Sequence, residues 1–184
     1  MLGRSDSRGY LTAAIGALVA VLAFVIFPYG SIDYTLGNND IKHSLAIKAS
    51  DFTTAGSWFT LPLGIIWLSV LLLLAAIIVA LVAFARSPKS EQPGTGNMRW
   101  IGEALTTLGA LSLILFLWTY FLVILRIKDV YPAQMQASVA LSLGSILFIV
   151  FALITTAGGI MAMTAKRVAR KRATGQLLAN GQSR

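Results

Sequence analysis

The sequence predicts an all-α membrane protein, a four-helix transmembrane bundle with a small β-hairpin expected in the first extracytoplasmic loop. Three observations carry that reading. Leu61–Phe84 is 24 residues long without a charge, and a helix rising about 1.5 Å per residue over that length crosses a hydrocarbon core of about 30 Å. Three more apolar runs flank it. The composition, 57% hydrophobic and 12% charged with a mean hydropathy of +0.77, is far from the roughly 25% charged of ordinary soluble domains. A single four-span membrane domain, 1–184, accounts for the chain, with spans at about 10–28, 61–84, 103–125 and 137–163, outer loops at 30–58 and 126–131, an inner link at 86–99 and a tail at 166–184.

The polar start Met1–Gly9, with Arg4 and Arg8 against Asp6, leads into Leu11–Phe27, uncharged over 17 residues. A basic start before an apolar run is also the outline of a signal peptide. A retained helix is expected instead, because the run exceeds the usual signal-peptide core, no Ala-x-Ala site follows it, and Pro28-Tyr29 supply a proline and an interfacial aromatic at its outer end. Ala13, Gly16, Ala17, Ala20 and Ala23 recur at three- and four-residue intervals and would let a neighbouring helix approach closely.

Gly30–Trp58 is the one region with strand character. Ile32, Tyr34 and Leu36 alternate with Asp33 and Thr35, Gly37-Asn38-Asn39-Asp40 is a run of turn formers, and Ile41, His43, Leu45 and Ile47 alternate against Lys42, Ser44 and Lys48. That pattern reads as a β-hairpin, which needs further strands, the bundle or a partner to be stable. The competing reading is a solvated loop. The second helix begins near Thr60-Leu61-Pro62, where Thr60 can cap and proline suits the first turn. The link Arg86–Arg99 holds two prolines and two glycines, and Asn97 is placed to cap the third helix. Arg99 and Glu103, four apart, could pair on one face, although two solvated charges at headgroup level are the simpler reading.

The third run, Ala104–Leu125, carries Trp118 and Tyr120 towards its outer end, and the short link Arg126–Tyr131 makes the third and fourth helices an antiparallel pair. Pro132 suits the first turn of the fourth helix. Its uncharged stretch Pro132–Ala165 is 34 residues, so either its polar start with Gln134, Gln136 and Ser138 stands above the membrane or the helix tilts. It runs into five basic residues in seven, Lys166, Arg167, Arg170, Lys171 and Arg172, and then into Thr174–Arg184, expected to be a flexible polar tail. Lys and Arg number two in the N-terminus, three in the 86–99 link and six in the tail, against two in each outer loop. The positive-inside rule then places both termini and the middle link in the cytoplasm, with the chain a multi-pass protein of the plasma (inner) membrane.

The net charge of +8 belongs beside apolar runs and so points to membrane orientation and anionic headgroups, with Lys166, Arg167, Arg170, Lys171 and Arg172 in contact with lipid, and not to nucleic acid. No cysteine is present, which excludes disulfides, thiol redox chemistry and thiolate metal sites. An ionisable residue inside a span is the default sign of an ion or substrate path, and none of the four runs contains one. The single histidine, His43, cannot supply a bis-histidine haem, and on the hairpin it is expected to pack with Ile41 and Leu45. Asp33, Asp40 and Asp51 share the outer loop without any ligand spacing. No nucleophile elbow or phosphate loop appears. Neither a catalytic site nor a cofactor is expected.

Small residues supply the remaining candidate sites, Gly16 and Ala20 in the first helix and Gly144, Thr155, Gly158, Gly159 and Ala162 in the fourth, where Thr155/Gly159 and Gly158/Ala162 are small-xxx-small pairs. They serve either packing inside the bundle or an interface with another subunit. Four spans, cytoplasmic termini and a larger first outer loop, with Phe27-Pro28-Tyr29 leaving the first helix and Gly56-Ser57-Trp58 before the second, resemble the claudin-like tetraspan plan. The chain lacks that family's paired loop cysteines and its Trp–Gly-Leu-Trp pattern, so the likeness implies architecture alone. The functional expectation is a non-catalytic protein acting by contact, as an accessory or assembly subunit of a larger membrane complex or as a scaffold, with other membrane subunits or a second copy as partners. The alternative is a small transporter or channel whose pathway forms on oligomerisation.

Overall fold

The computed structural model describes residues 3–35, 42–48, 60–86, 99–130 and 137–181. Four helices and three strands occupy them: α1 (Gly3–Ile26), β1 (Gly30–Thr35), β2 (Lys42–Ile47), α2 (Thr60–Arg86), α3 (Arg99–Val130), β3 (Ala137–Leu141) and α4 (Leu143–Gly181). The segments Ser7–Ile26, Ile65–Arg86, Trp100–Leu125 and Leu143–Thr164 are each long and apolar enough to cross a membrane. The expected turn Gly37–Asp40, the cap at Asn97 and the interior of the 86–99 link lie outside the described residues, as do the side chains of His43, Arg99 and the basic cluster.

Local chemistry sets the end of α1 and suits the start of α2. Phe27 N–H still donates to Ala23 O at 3.0 Å, but Pro28 has no N–H to continue the ladder and disfavours helix before it. Pro62 lies in the first turn of α2, where a missing donor costs little. The helices form an up-down-up-down bundle in which each packs on the next and α4 closes on α1. The start of α1, the end of α2, the start of α3 and the far end of α4 therefore lie at one end of the bundle and the strands at the other.

The strands make one antiparallel sheet in the order β2-β1-β3. The hairpin is present, with Ile32 opposite Leu45 and Gly30 opposite Ile47, and β3 pairs on the other side of β1, Gly30 opposite Leu141 and Ile32 opposite Val139. The third strand corrects the expected start of the fourth span. Ala137–Leu141 is strand and α4 begins at Leu143, because the free edge of β1 offers a ladder that this short, locally ambivalent segment completes. Two other expectations change. Residues 126–130 belong to α3 and are not a loop, since no breaker precedes Pro132. Residues 174–181 continue α4 and are not a flexible tail, as the strong helix formers Gln176, Leu177, Leu178 and Ala179 follow Gly175.

Candidate functional site

Two features bring the functional candidates together, a seam of small residues along α4 and an aromatic cap beneath the sheet. In the seam α4 is gripped from both sides. A Cβ placed on Gly158 would stand 2.6 Å from the backbone N of Ala13 on α1, and one on Gly159 would stand 2.7 Å from the backbone N of Thr106 on α3. Consecutive glycines thus face different neighbours, and two backbones pass α4 at distances that no side chain permits. Gly16 meets Thr155 and Phe151, Gly144 meets Phe27 and Pro28, and Ala162 meets Gly9; Ala20, Thr155 and Ala162 are fully buried. The sequence left open whether this set served the bundle or another subunit. Its close contacts are with α1 and α3, inside the chain. The counterparts Gly9, Gly102 and Gly109 were missed; their signal is a seven-residue spacing, Gly9/Gly16 and Gly102/Gly109, which repeats a small residue on one helix face every two turns.

The buried serine and threonine hydroxyls are bonded within the chain. Thr155 Oγ1 donates to Phe151 O at 2.9 Å and Thr156 Oγ1 to Ala152 O at 3.0 Å, which lets both line the seam without an orphaned donor. Ser69 Oγ donates to Ile66 O at 2.6 Å, and Ser112 Oγ reaches across from α3 to Ser69 O on α2 at 2.9 Å. Among the described residues the buried polar side chains are Ser69, Ser112, Thr119, Ser145 and Thr155, none ionisable in the physiological range. Among those residues, too, no three of His, Cys, Asp and Glu come together.

The cap is built around Tyr29, which is fully buried. Its ring meets Phe116 with centroids 5.3 Å apart and Phe24 and Tyr120 at 6.3 Å, while Phe116 stacks on Phe148 at 4.1 Å. Its N–H donates to Ile47 O at 2.7 Å, and its carbonyl accepts from Ser145 Oγ. Gly144 N donates to Pro28 O at 3.2 Å. One residue thus ties the end of α1 to β2, α3 and the start of α4. Burial, with Tyr120 alongside, pushes the Tyr29 phenol well above its usual range, so it stays neutral at any physiological pH. Among the described residues no ligand set emerges from this arrangement; it ties the sheet to the bundle. The chain matches no protein-family model and no curated protein sequence.

Proposed function

We propose that the chain is a non-catalytic multi-pass membrane protein that acts by contact, presenting its sheet on one side of the membrane as an accessory or assembly subunit of a larger membrane complex, on a claudin-like plan. The observation that carries this reading is the contrast between the two parts of the molecule. The sheet is amphipathic and pinned through Tyr29, whereas the described bundle interior is lined by aliphatic and aromatic side chains and by serine and threonine hydroxyls bonded within the chain. Such a molecule has a surface to offer and, among its described residues, no buried carboxylate, histidine, lysine or arginine that would carry an ion or a proton.

The membrane reading is supported by the exposed aromatics of α3. Trp100 is exposed near one end, and Trp118, also exposed, lies beside Phe121 near the other. Eighteen residues of helix separate the two tryptophans, about 27 Å, close to the separation of the two interfacial belts. Orientation is supported by charge. By sequence, the two terminal segments, the 86–99 link and Glu103 hold eleven Lys and Arg against three acids, and the 30–58 and 126–131 segments hold four against four, so the whole net charge falls in the segments assigned to the cytoplasm. Purification of the full chain in mild detergent tests the functional reading. A membrane subunit or a second copy should accompany it in fixed ratio, and liposomes holding the chain alone should pass no ion or solute. A saturable flux would overturn the reading.

A further inference from the structure

The underside of the sheet is wider than the helices that cover it. Alternation along the strands places Ile32, Leu45, Ile47, Val139 and Leu141 on one face, in two cross-strand rows, Ile47–Gly30–Leu141 and Leu45–Ile32–Val139. Ile32 on the central strand and Ile47 on β2 are covered, 5% and 7% exposed, but Leu45 is 55% and Leu141 43% exposed at diagonally opposite corners of the same face. The upper face carries Ser31, Asp33, Ser44 and Ser138 with only the small Ala46 and Ala140 among them. A sheet with water on both sides gains nothing from leucines at these two edges.

The helices indicate what lies beneath. Gly9 and Gly102, which adjoin the charged Arg8 and Glu103, pack against Ala162 and Met163 of α4, so those charges mark one boundary of the apolar slab. Twenty residues back along α4, about 30 Å and the thickness of a hydrocarbon core, lies Leu143. The sheet begins two residues before it. Ile26, Phe27, Leu143 and Ile146 are exposed at that same level and join the leucine edges to the apolar flank of the bundle.

We infer that the sheet is an interfacial element whose apolar underside, through Leu45 and Leu141, rests in the headgroup–acyl boundary of the outer leaflet, so that the sheet lies along the membrane surface and does not stand off it. This rests on the membrane reading above. The occupant is lipid because the leucine edges are continuous with the lipid-facing band and the opposite face is polar, the arrangement of interfacial segments with one apolar face.

The chain has no cysteine, so single cysteines can carry spin labels in the full protein reconstituted in liposomes. Labels at Leu45 and, in a second variant with native β2, at Leu141 should be reached several-fold more readily by oxygen than by a water-soluble nickel chelate. Labels at Ser44 and Ala46 should show the reverse. A label at Ile78, exposed in the middle of α2, reports bilayer insertion independently. Oxygen preference at 78 without alternation over 44–46 and without oxygen preference at 141 would overturn the inference and leave the membrane reading standing. Shielding of 45 and 141 from both reagents would assign the face to a second copy or another protein and overturn it equally. Nickel access at 78 would remove both.

Discussion

At the scale of single residues, the molecule depends on the absence of side chains at two consecutive positions. In an isolated helix, Gly→Ala is stabilising by about 1 kcal/mol, since glycine gives up more backbone freedom. At Gly158 and Gly159 the new Cβ would press on backbone atoms of α1 and α3 at 2.6 Å and 2.7 Å, and overpacking of that kind costs about 1–3 kcal/mol. Gly158→Ala and Gly159→Ala should therefore each lower the thermal midpoint in detergent, while Ile78→Ala on the exposed face of α2 changes it little. A rise at either glycine would contradict the seam. Tyr29 gives a second reading through pH. Its folded pKa lies above the usual value of about 10, so the folded state keeps a proton that the unfolded chain releases. Stability from this group is complete below pH 10 and declines as pH rises beyond it. Tyr29→Phe should flatten that alkaline decline, measured against the parent chain by unfolding at successive pH values; an unchanged slope would exclude Tyr29 as its source.

At the scale of elements, α4 shows what sequence alone discloses and what it conceals. Its small residues were legible, because Thr155, Gly158, Gly159 and Ala162 stand out in an apolar run. Which neighbours they meet was not, since that depends on Gly9, Gly102 and Gly109 in helices distant along the chain. The β1–β2 hairpin was legible from alternation and turn formers. Strand β3 was hidden, because Ala-Ser-Val-Ala-Leu suits helix as readily as strand and only the edge of β1 decides between them. Tyr29 looked like an interfacial aromatic and became the centre of the cap for the same reason, its partners being scattered over α1, α3, β2 and α4. The helical continuation of α4 sharpens the lipid expectation for its basic cluster. Lys166–Arg172 covers about 9 Å of helix axis, within a Debye length of the point where the span ends, and each basic residue near an anionic surface contributes about 1 kcal/mol. Replacing Lys166, Arg167, Arg170, Lys171 and Arg172 with Gln should lower the anionic lipid that the purified full chain retains, with the difference shrinking as salt rises. Equal retention would leave the cluster as an orientation signal only.

At the scale of the whole molecule, the account rests on an asymmetry between two ends. The up-down bundle gathers the start of α1, the end of α2, the start of α3 and the far end of α4 at one end and the sheet at the other, and by sequence all of the net positive charge falls in the segments that join or extend the former. Short basic segments resist translocation, so on the proposed membrane reading the charge orients the bundle and the bundle in turn decides which surface the sheet can offer. The small-residue faces are taken up inside the chain, which leaves the sheet and the outward helix faces for contact with other molecules. The most direct test is the sidedness of two single cysteines in this cysteine-free chain, one at Ser44 on the exposed face of β2 and one at Ser90 in the link. With a membrane-impermeant maleimide, Ser44→Cys should be labelled in intact cells, and Ser90→Cys only after the membrane is opened. Labelling of Ser90→Cys from outside, with Ser44→Cys protected until opening, would contradict the account.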